Sequence, residues 1–240
     1  ATGAGLLPDY KYLVIDEAHH LEDDVTRELG YTAEFAELGD KLAVLQEILG
    51  FSYETRQENP SPAGVNGMSG AESRRIREDF SHAHTEIRDF DTVITGFIAA
   101  VLQKERYAKL RIDNKLRETA SWTKIRIASD RVAHSLMGLL HLVSSYTDRW
   151  QSKLSRSEEG DRFKDECVQS VLDLEELLRK LREFIFEPLD GHVYWISTDV
   201  RNRIVRFNIC PIEVSEFLEE NLFSEDKAIV LASATMQTDN

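Results

Sequence analysis

Hydrophobic positions along the chain change their period twice. The run Tyr12–Ile15 (YLVI) is apolar and partly β-branched, and it stops at two carboxylates, Asp16 and Glu17. That pattern predicts a short buried strand of a parallel sheet with the acids at its carboxyl end. From Leu21 onward the spacing turns helical, and Leu38, Leu42, Leu45 and Leu49, at steps of four and three, stack on one helix face. Residues 54–71, with two Pro and three Gly among Ser and Asn, read as a loop. Three longer helical stripes follow. The first is Ile76, Phe80, Ile87, Ile94, Ile98 and Val101. The second is Ile125, Val132, Leu136, Leu139, Val143, Tyr146 and Trp150. The third is Val171, Leu174, Leu178, Leu181 and Ile185, ended by Pro188. Such stripes must bury one another, so the middle of the chain is expected to be a mostly antiparallel helical bundle with no cofactor site.

After Pro188 the period shortens. HVYWIST and NRIVRFNI predict a hairpin or two neighbouring strands, with Asp199, Val200 and Arg201 between them. A short amphipathic helix is expected over Pro211–Leu222, with Val214, Phe217 and Leu218 inward. Ala228–Ala232 (AIVLA) then forms a second all-apolar strand, followed by Ser233, Ala234 and Thr235. The expected fold is mainly α. A helical bundle is inserted between two short parallel strands of an α/β domain, with a small β region before the second strand. The expected organisation is 1–24 with the first strand, 25–186 the helical insertion, and 187–240 the return to the α/β domain.

Charge qualifies this picture. The formal net charge of −14 argues at first against a nucleic-acid partner. Residues 1–70 carry 4 basic and 13 acidic side chains, residues 71–186 carry 21 and 20, and residues 187–240 carry 4 and 10. The acidity sits at the two ends and the middle is neutral. The segment Lys104–Arg131 holds nine basic residues against four acidic ones. Charged interruptions of the apolar runs predict no membrane span. Ala1–Pro8 lacks the features of a secretory signal. Cys167 and Cys210 make neither a disulfide framework nor a metal-type cluster, which fits a reducing, cytoplasmic setting.

The chemistry concentrates in Val14-Ile15-Asp16-Glu17-Ala18-His19. A strand that delivers adjacent Asp and Glu to its exposed end suits nucleotide hydrolysis. Asp16 would hold magnesium, mostly through water, and Glu17 would orient or deprotonate the attacking water. Two acids capping the helix that starts near Leu21 would be the plain structural alternative. Ser233-Ala234-Thr235 follows the second apolar strand, where small hydroxyls can bond a neighbouring carboxylate or imidazole. Alone it would read as a capping turn.

DEAH followed by SAT resembles motifs II and III of superfamily 2 helicases. The terminal stretches LPDYKYLVIDEAHHLED and VYWIS…CPIEVSEFLEENLFSEDKAIVLASATM resemble more narrowly the DinG/XPD-type, Rad3-related DNA helicases. That resemblance implies a helical arch domain between the two motifs, and a RecA-like motor domain around it. It implies ATP and Mg2+ as cofactors of the parent protein, single-stranded DNA as its partner, and a role in DNA repair or replication. It makes Asp16 and Glu17 the Walker B pair, with His19, Ser233 and Thr235 coupling nucleotide state to DNA. An iron–sulfur cluster, where such helicases carry one, would lie upstream of Ala1. No G-x-x-x-x-G-K-[ST] string occurs here, so the sequence is expected to be an internal segment that does not hydrolyse ATP by itself.

Two further features stay open on the sequence. Lys109, Arg111, Lys115 and Arg117 could contact DNA phosphates while Tyr107 or Trp122 stacks on a base. The commoner outcome for such a run is a solvated helix face. His82, His84, His134 and His141 lack the spacing of a tetrahedral metal site and read as ordinary histidines. The main alternative for the whole chain is a non-enzymatic helical module that docks a protein partner.

Overall fold

A computed structural model describes residues 10–51, 68–102, 107–153, 158–199, 204–223 and 228–233. Over these the chain divides into two compact units, Ala1–Tyr31 with Leu189–Val193 and Ile209–Asn240, and Thr32–Pro188 with Tyr194–Asn208.

The larger unit is dominated by four helices: α2 (Ala36–Ile48), α3 (Gly70–Leu102), α5 (Ala120–Lys153) and α6 (Glu158–Phe186). Their aliphatic stripes are the core. Leu38, Leu42, Leu45 and Leu49 are buried, as are Ile76, Phe80, Ile87, Ile94 and Ile98 of α3. So are the second stripe from Ile125 to Tyr146 and the whole third stripe; Val101 alone faces out, and the Trp150 side chain lies outside the described residues. Side-chain pairs fix the helix directions. Phe35 meets Phe90 while Phe51 meets Phe80, so α2 and α3 run antiparallel. Arg149 pairs with Glu72, Arg131 with Glu86, and Trp122 packs on Phe97, so α3 and α5 also run antiparallel. Trp122 and Arg126 lie against Phe184 and Phe186, at the opposite ends of their helices, which reverses α6 on α5.

Helix α3 starts at Gly70, so the expected loop ends two residues early. Ser69 and Glu72 make a reciprocal cap. The Ser69 N–H donates to Glu72 Oε2 at 3.0 Å, and the Glu72 N–H donates to Ser69 Oγ at 3.3 Å. The bond from Ser69 N–H is the main reason the Glu72 carboxyl sits below its ordinary pKa.

Strands were underestimated by periodicity. Besides β4 (His192–Asp199) and β5 (Ile204–Pro211), two short strands join the same sheet: β2 (Tyr31–Glu34) and β3 (Tyr107–Arg111). The order is β2-β5-β4-β3. Strand β3 pairs antiparallel with β4, Lys109 opposite Ser197 and Arg111 opposite Trp195. Part of the basic stretch is therefore a sheet edge and not a helix face. Four- and five-residue strands carry too few side chains for alternation to register against helical neighbours. After β3 come the short α4 (Asn114–Arg117), capped by Asp113 accepting from Leu116 N, and α5.

In the smaller unit, β1 (Tyr12–Ile15) and β6 (Ala228–Leu231) pair in parallel, Tyr12 with Ala228 through Ile15 with Leu231. A 3-10 turn (Ala18–His20), α1 (Leu21–Leu29) and α7 (Ser215–Asn221) complete it. Gly30 is needed where α1 ends, because a Cβ there would lie 2.7 Å from the Ile209 carbonyl oxygen. Two expectations fail here. Strand β1 is not buried: Tyr12 is 82% exposed and Val14 68%, while Val230 on β6 is 57% exposed. Parallel strands are buried only where layers cover both faces, and this pair is two strands wide among the described residues. In α7, Val214 is buried but Phe217 is 42% exposed, because the helix has only two turns and presents one inward edge.

Across α2 and α6, Lys41 Nζ donates to Asp173 Oδ2 at 2.7 Å, and Gln169 donates to the other carboxylate oxygen at 2.8 Å. The Lys41 bond, then that from Gln169, holds the Asp173 carboxyl below its usual range. A depressed carboxylate stabilises the fold above its unfolded pKa, and that stabilisation is lost as pH falls through the folded value. Melting temperature should therefore fall between about pH 5 and pH 2. In Asp173→Asn the neutral-pH value should be lower and the acid-side fall smaller, as followed by thermal melts across pH.

Candidate functional site at the ends of the parallel strands

The two parallel strands end side by side, and that brings Asp16, Glu17, His19 and Ser233 together. The ladder continues past the strands: the Ala232 N–H donates to the Ile15 carbonyl at 2.8 Å, and the Ala18 N–H donates to the Ala232 carbonyl at 2.9 Å. Residues 214 positions apart in sequence therefore meet. Between those bonds the chain turns sharply at Glu17, whose φ of 51° and ψ of 41° lie in the left-handed region. For a residue with a Cβ that conformation costs roughly 1–2 kcal/mol, and it persists where the surroundings over-determine it. The turn is held by the Glu17 N–H donating to Asp16 Oδ1 at 2.9 Å and the His20 N–H donating to the Glu17 carbonyl at 3.0 Å.

His19 Nδ1 lies 2.7 Å from Ser233 Oγ and 3.2 Å from Glu17 Oε2. Ser233 Oγ in turn donates to Glu17 Oε2 at 3.5 Å. These contacts fit an Nδ1-protonated imidazole that donates to the serine while the serine hydroxyl points at the carboxylate. The His20 ring stacks at a tilt on His19, with centroids 3.8 Å apart. Asp16 and Glu17 are both exposed. Their hard oxygen donors suit magnesium, which keeps several waters and takes only one or two carboxylates. Thr235 lies outside the described residues.

The other sequence candidates are scattered. Lys109 and Arg111 are exposed on β3, and Lys115 is exposed on α4. Trp122 is a correction: it is 0% exposed, wedged among Phe97, Phe184 and Arg117, so its ring cannot stack on a base. Its place on the inner stripe of α5, three residues before Ile125, carried the signal. Arg117 is a second correction. Its Nη1 donates to the Phe184 and Ile185 carbonyls at 2.8 and 3.1 Å, at the end of α6. Its guanidinium lies over the rings of Tyr194, Trp122 and Phe184, at 4.9, 5.2 and 5.8 Å. Burial lowers its pKa. This arginine caps a helix and fills an aromatic cage, so it is not free to meet a phosphate. Tyr107 has no described side chain.

Cys167 is buried, and burial pushes its thiol up to about 12; Cys210 is raised for the same reason. Neither has the lowered pKa of a reactive cysteine. His84 is held below its ordinary pKa chiefly by burial, with Nε2 at 3.0 Å from Gln46 Oε1. Among the described residues, no three His, Cys, Asp or Glu side chains are grouped to hold a metal. Nor is any helix among them long and apolar enough to cross a membrane.

Comparison with known proteins agrees with the motifs at the chain's two ends. The chain is 26% identical to the 3'-5' exonuclease DinG of Bacillus subtilis, over 96% of its own length and 25% of that protein. The resemblance to DinG therefore extends along nearly the whole chain, including the helical middle, where the motifs alone were silent. The chain spans about a quarter of this relative's length. No family model matches it.

The two assignments of Arg117 differ in what a substitution does. Arg117→Met should lower unfolding free energy by about 2–4 kcal/mol, because two charge-assisted bonds to helix-end carbonyls are lost. Denaturant titration checks this. Affinity for single-stranded DNA, measured under conditions where the variant is folded, should not change.

Proposed function

We propose that this chain is the segment of an ATP-dependent DNA helicase that runs from the Walker B strand to motif III. The parent protein would couple ATP hydrolysis to movement along single-stranded DNA. The observation that supports this best is the link from His19 to Ser233 and Glu17 across the ends of β1 and β6. It joins the two strings whose order and spacing resemble motifs II and III, with distances short enough to couple them.

In this reading Asp16 would hold magnesium, and the ion would supply charge neutralisation to the nucleotide phosphates when bound. Glu17 is the general base or water-orienting group, projected by its left-handed turn clear of the strand. Its carboxylate oxygen Oε2 is shared between His19 and Ser233. A shift of the segment after β6 would alter that sharing and so the aim of Glu17. Serine and imidazole are thus a relay between whatever moves the end of β6 and the hydrolytic carboxylate. Thr235, two residues further on, would belong to the same relay.

The relative's name records a 3'-5' exonuclease. The motor role is supported in this segment by the Asp16–Glu17 pair, which directly follows the parallel strand β1. The arch-like bundle would shape the path of DNA in the parent, and a soluble setting with ATP and magnesium follows from that role. The 240-residue chain alone should not hydrolyse ATP, because it has no phosphate-binding loop string.

In the parent protein, Glu17→Gln should reduce ATP turnover about 10²-fold or more while nucleotide binding persists. Ser233→Ala should keep most basal turnover and lose much of its stimulation by single-stranded DNA. Steady-state phosphate release with and without oligonucleotide measures both. Unchanged turnover in Glu17→Gln would refute the assignment.

A further inference from the structure

We infer that the outward face of the four-stranded sheet is a stacking platform for single-stranded DNA, with Trp195 as its aromatic and Lys109 and Arg111 as its cations. The two faces of this sheet differ sharply. Tyr194, Ile196, Val205 and Phe207 are buried on the inner face, under the helices. The alternating positions form the outer face. Arg111 lies opposite Trp195 and Lys109 opposite Ser197, and directly opposed residues of an antiparallel pair share a face. Asn208 extends it across β5, its amide donating to Ser197 Oγ at 3.0 Å and to the Trp195 carbonyl at 3.2 Å. Thr32 on β2 donates to Asn208 Oδ1 at 3.0 Å, and Arg206 donates to Glu34 at 3.0 Å.

All four strands therefore contribute to one surface that is polar, hydrogen-bonded from below and only partly covered. Asn208 is buried and fully engaged, which fixes Ser197 and the backbone beneath Trp195. Trp195 is half-buried. An indole in such a setting offers a π-face to any base, and stacking of that kind tolerates sequence. The charge is the second support. In a chain of net −14, Lys109 and Arg111 are exposed and make no ion pair among the described residues. Glu34 is already matched by Arg206, and Asp199, at the far end of the face, is buried. Among the described residues β3 is an edge strand and both cations are exposed, so a phosphate backbone can run along that edge with its bases over Trp195. The aromatic-plus-cation chemistry stands on the sheet alone; the choice of DNA as the polymer rests on the function proposed above. The surface also supplies the stacking residue that Trp122, being buried, cannot be.

Fluorescence anisotropy with a labelled oligothymidylate of about 15 nucleotides, titrated with the 240-residue chain at low and moderate salt, tests this. Trp195→Ala should weaken binding about tenfold, with little change in its salt dependence, whereas Trp195→Phe should retain most of it. Lys109→Glu with Arg111→Glu should weaken binding and flatten the salt slope by about 1.4, the contribution of two phosphate contacts to a single strand. Arg162→Glu, at the end of α6 remote from Phe184, should bind as the unaltered chain does. Circular dichroism melts confirm that each variant is folded, and Trp195→Phe guards against a loss caused by packing. Binding in folded Trp195→Ala equal to that of the unaltered chain would overturn the proposal. So would no binding at low salt, which would leave this face to a protein partner. The two readings fail separately: Trp195-dependent binding with normal turnover in Glu17→Gln removes the motor assignment and keeps the platform.

Discussion

The larger unit depends on one aromatic junction. Phe184, near the end of α6, packs on Trp122 of α5, on Tyr194 of β4 and on Phe207 of β5, with centroids 5.0 to 6.3 Å apart. It is fully buried, as are Trp122 and Phe207 to within about 1%. Helices and sheet have different periods, so they cannot interlock along their lengths as two helices do. Large flat rings that meet edge to face solve this, because one ring can satisfy neighbours arriving from several directions. Arg117 closes the junction by bonding the Phe184 and Ile185 carbonyls at the end of α6 and covering three of the rings. It removes the cost of leaving a helix end unsatisfied in an apolar setting.

The junction also decides what the two faces of the sheet can do. One face is consumed in packing against the bundle. The other is left to polar groups, and its order is inherited from the first, since each residue buried beneath a helix turns its neighbours outward. Trp195 points out because Tyr194 and Ile196 point in. Lys109 and Arg111 share its face through the register of β3 on β4.

In the smaller unit the governing constraint is backbone, not packing. Two short parallel strands hold their ends level through ladder bonds that continue to Ala18 and Ala232. With those fixed, the chain must turn within one residue, and Glu17 takes the left-handed conformation that the turn requires. The strain and the catalytic candidate coincide. Carboxylate, imidazole and hydroxyl are brought within 2.7 to 3.5 Å of one another by strand ends.

How much of this was legible follows from the range of the forces involved. Helical stripes such as Leu38-Leu42-Leu45-Leu49 were readable because a helix repeats its burial every three or four residues, and the period survives in the sequence. The DEAH and SAT strings were readable because a strand end needs specific side chains at fixed local spacing, and their resemblance to DinG agrees with the comparison. Strands β2 and β3 were not, being too short to show alternation and stabilised by partners far along the chain. The fate of some individual residues was not either: Arg117 and Arg111 look alike in the sequence, whereas the burial of Trp122 was signalled by its place on the α5 stripe. By itself the sequence determined the mainly helical class, the core stripes and the carboxylate pair, all of which rest on local periodicity or contiguous motifs. Only tertiary structure decided which arginines are occupied, that β1 is exposed, and that His19 meets Ser233. Those outcomes depend on contacts between residues distant in sequence, whose spacing no local pattern records.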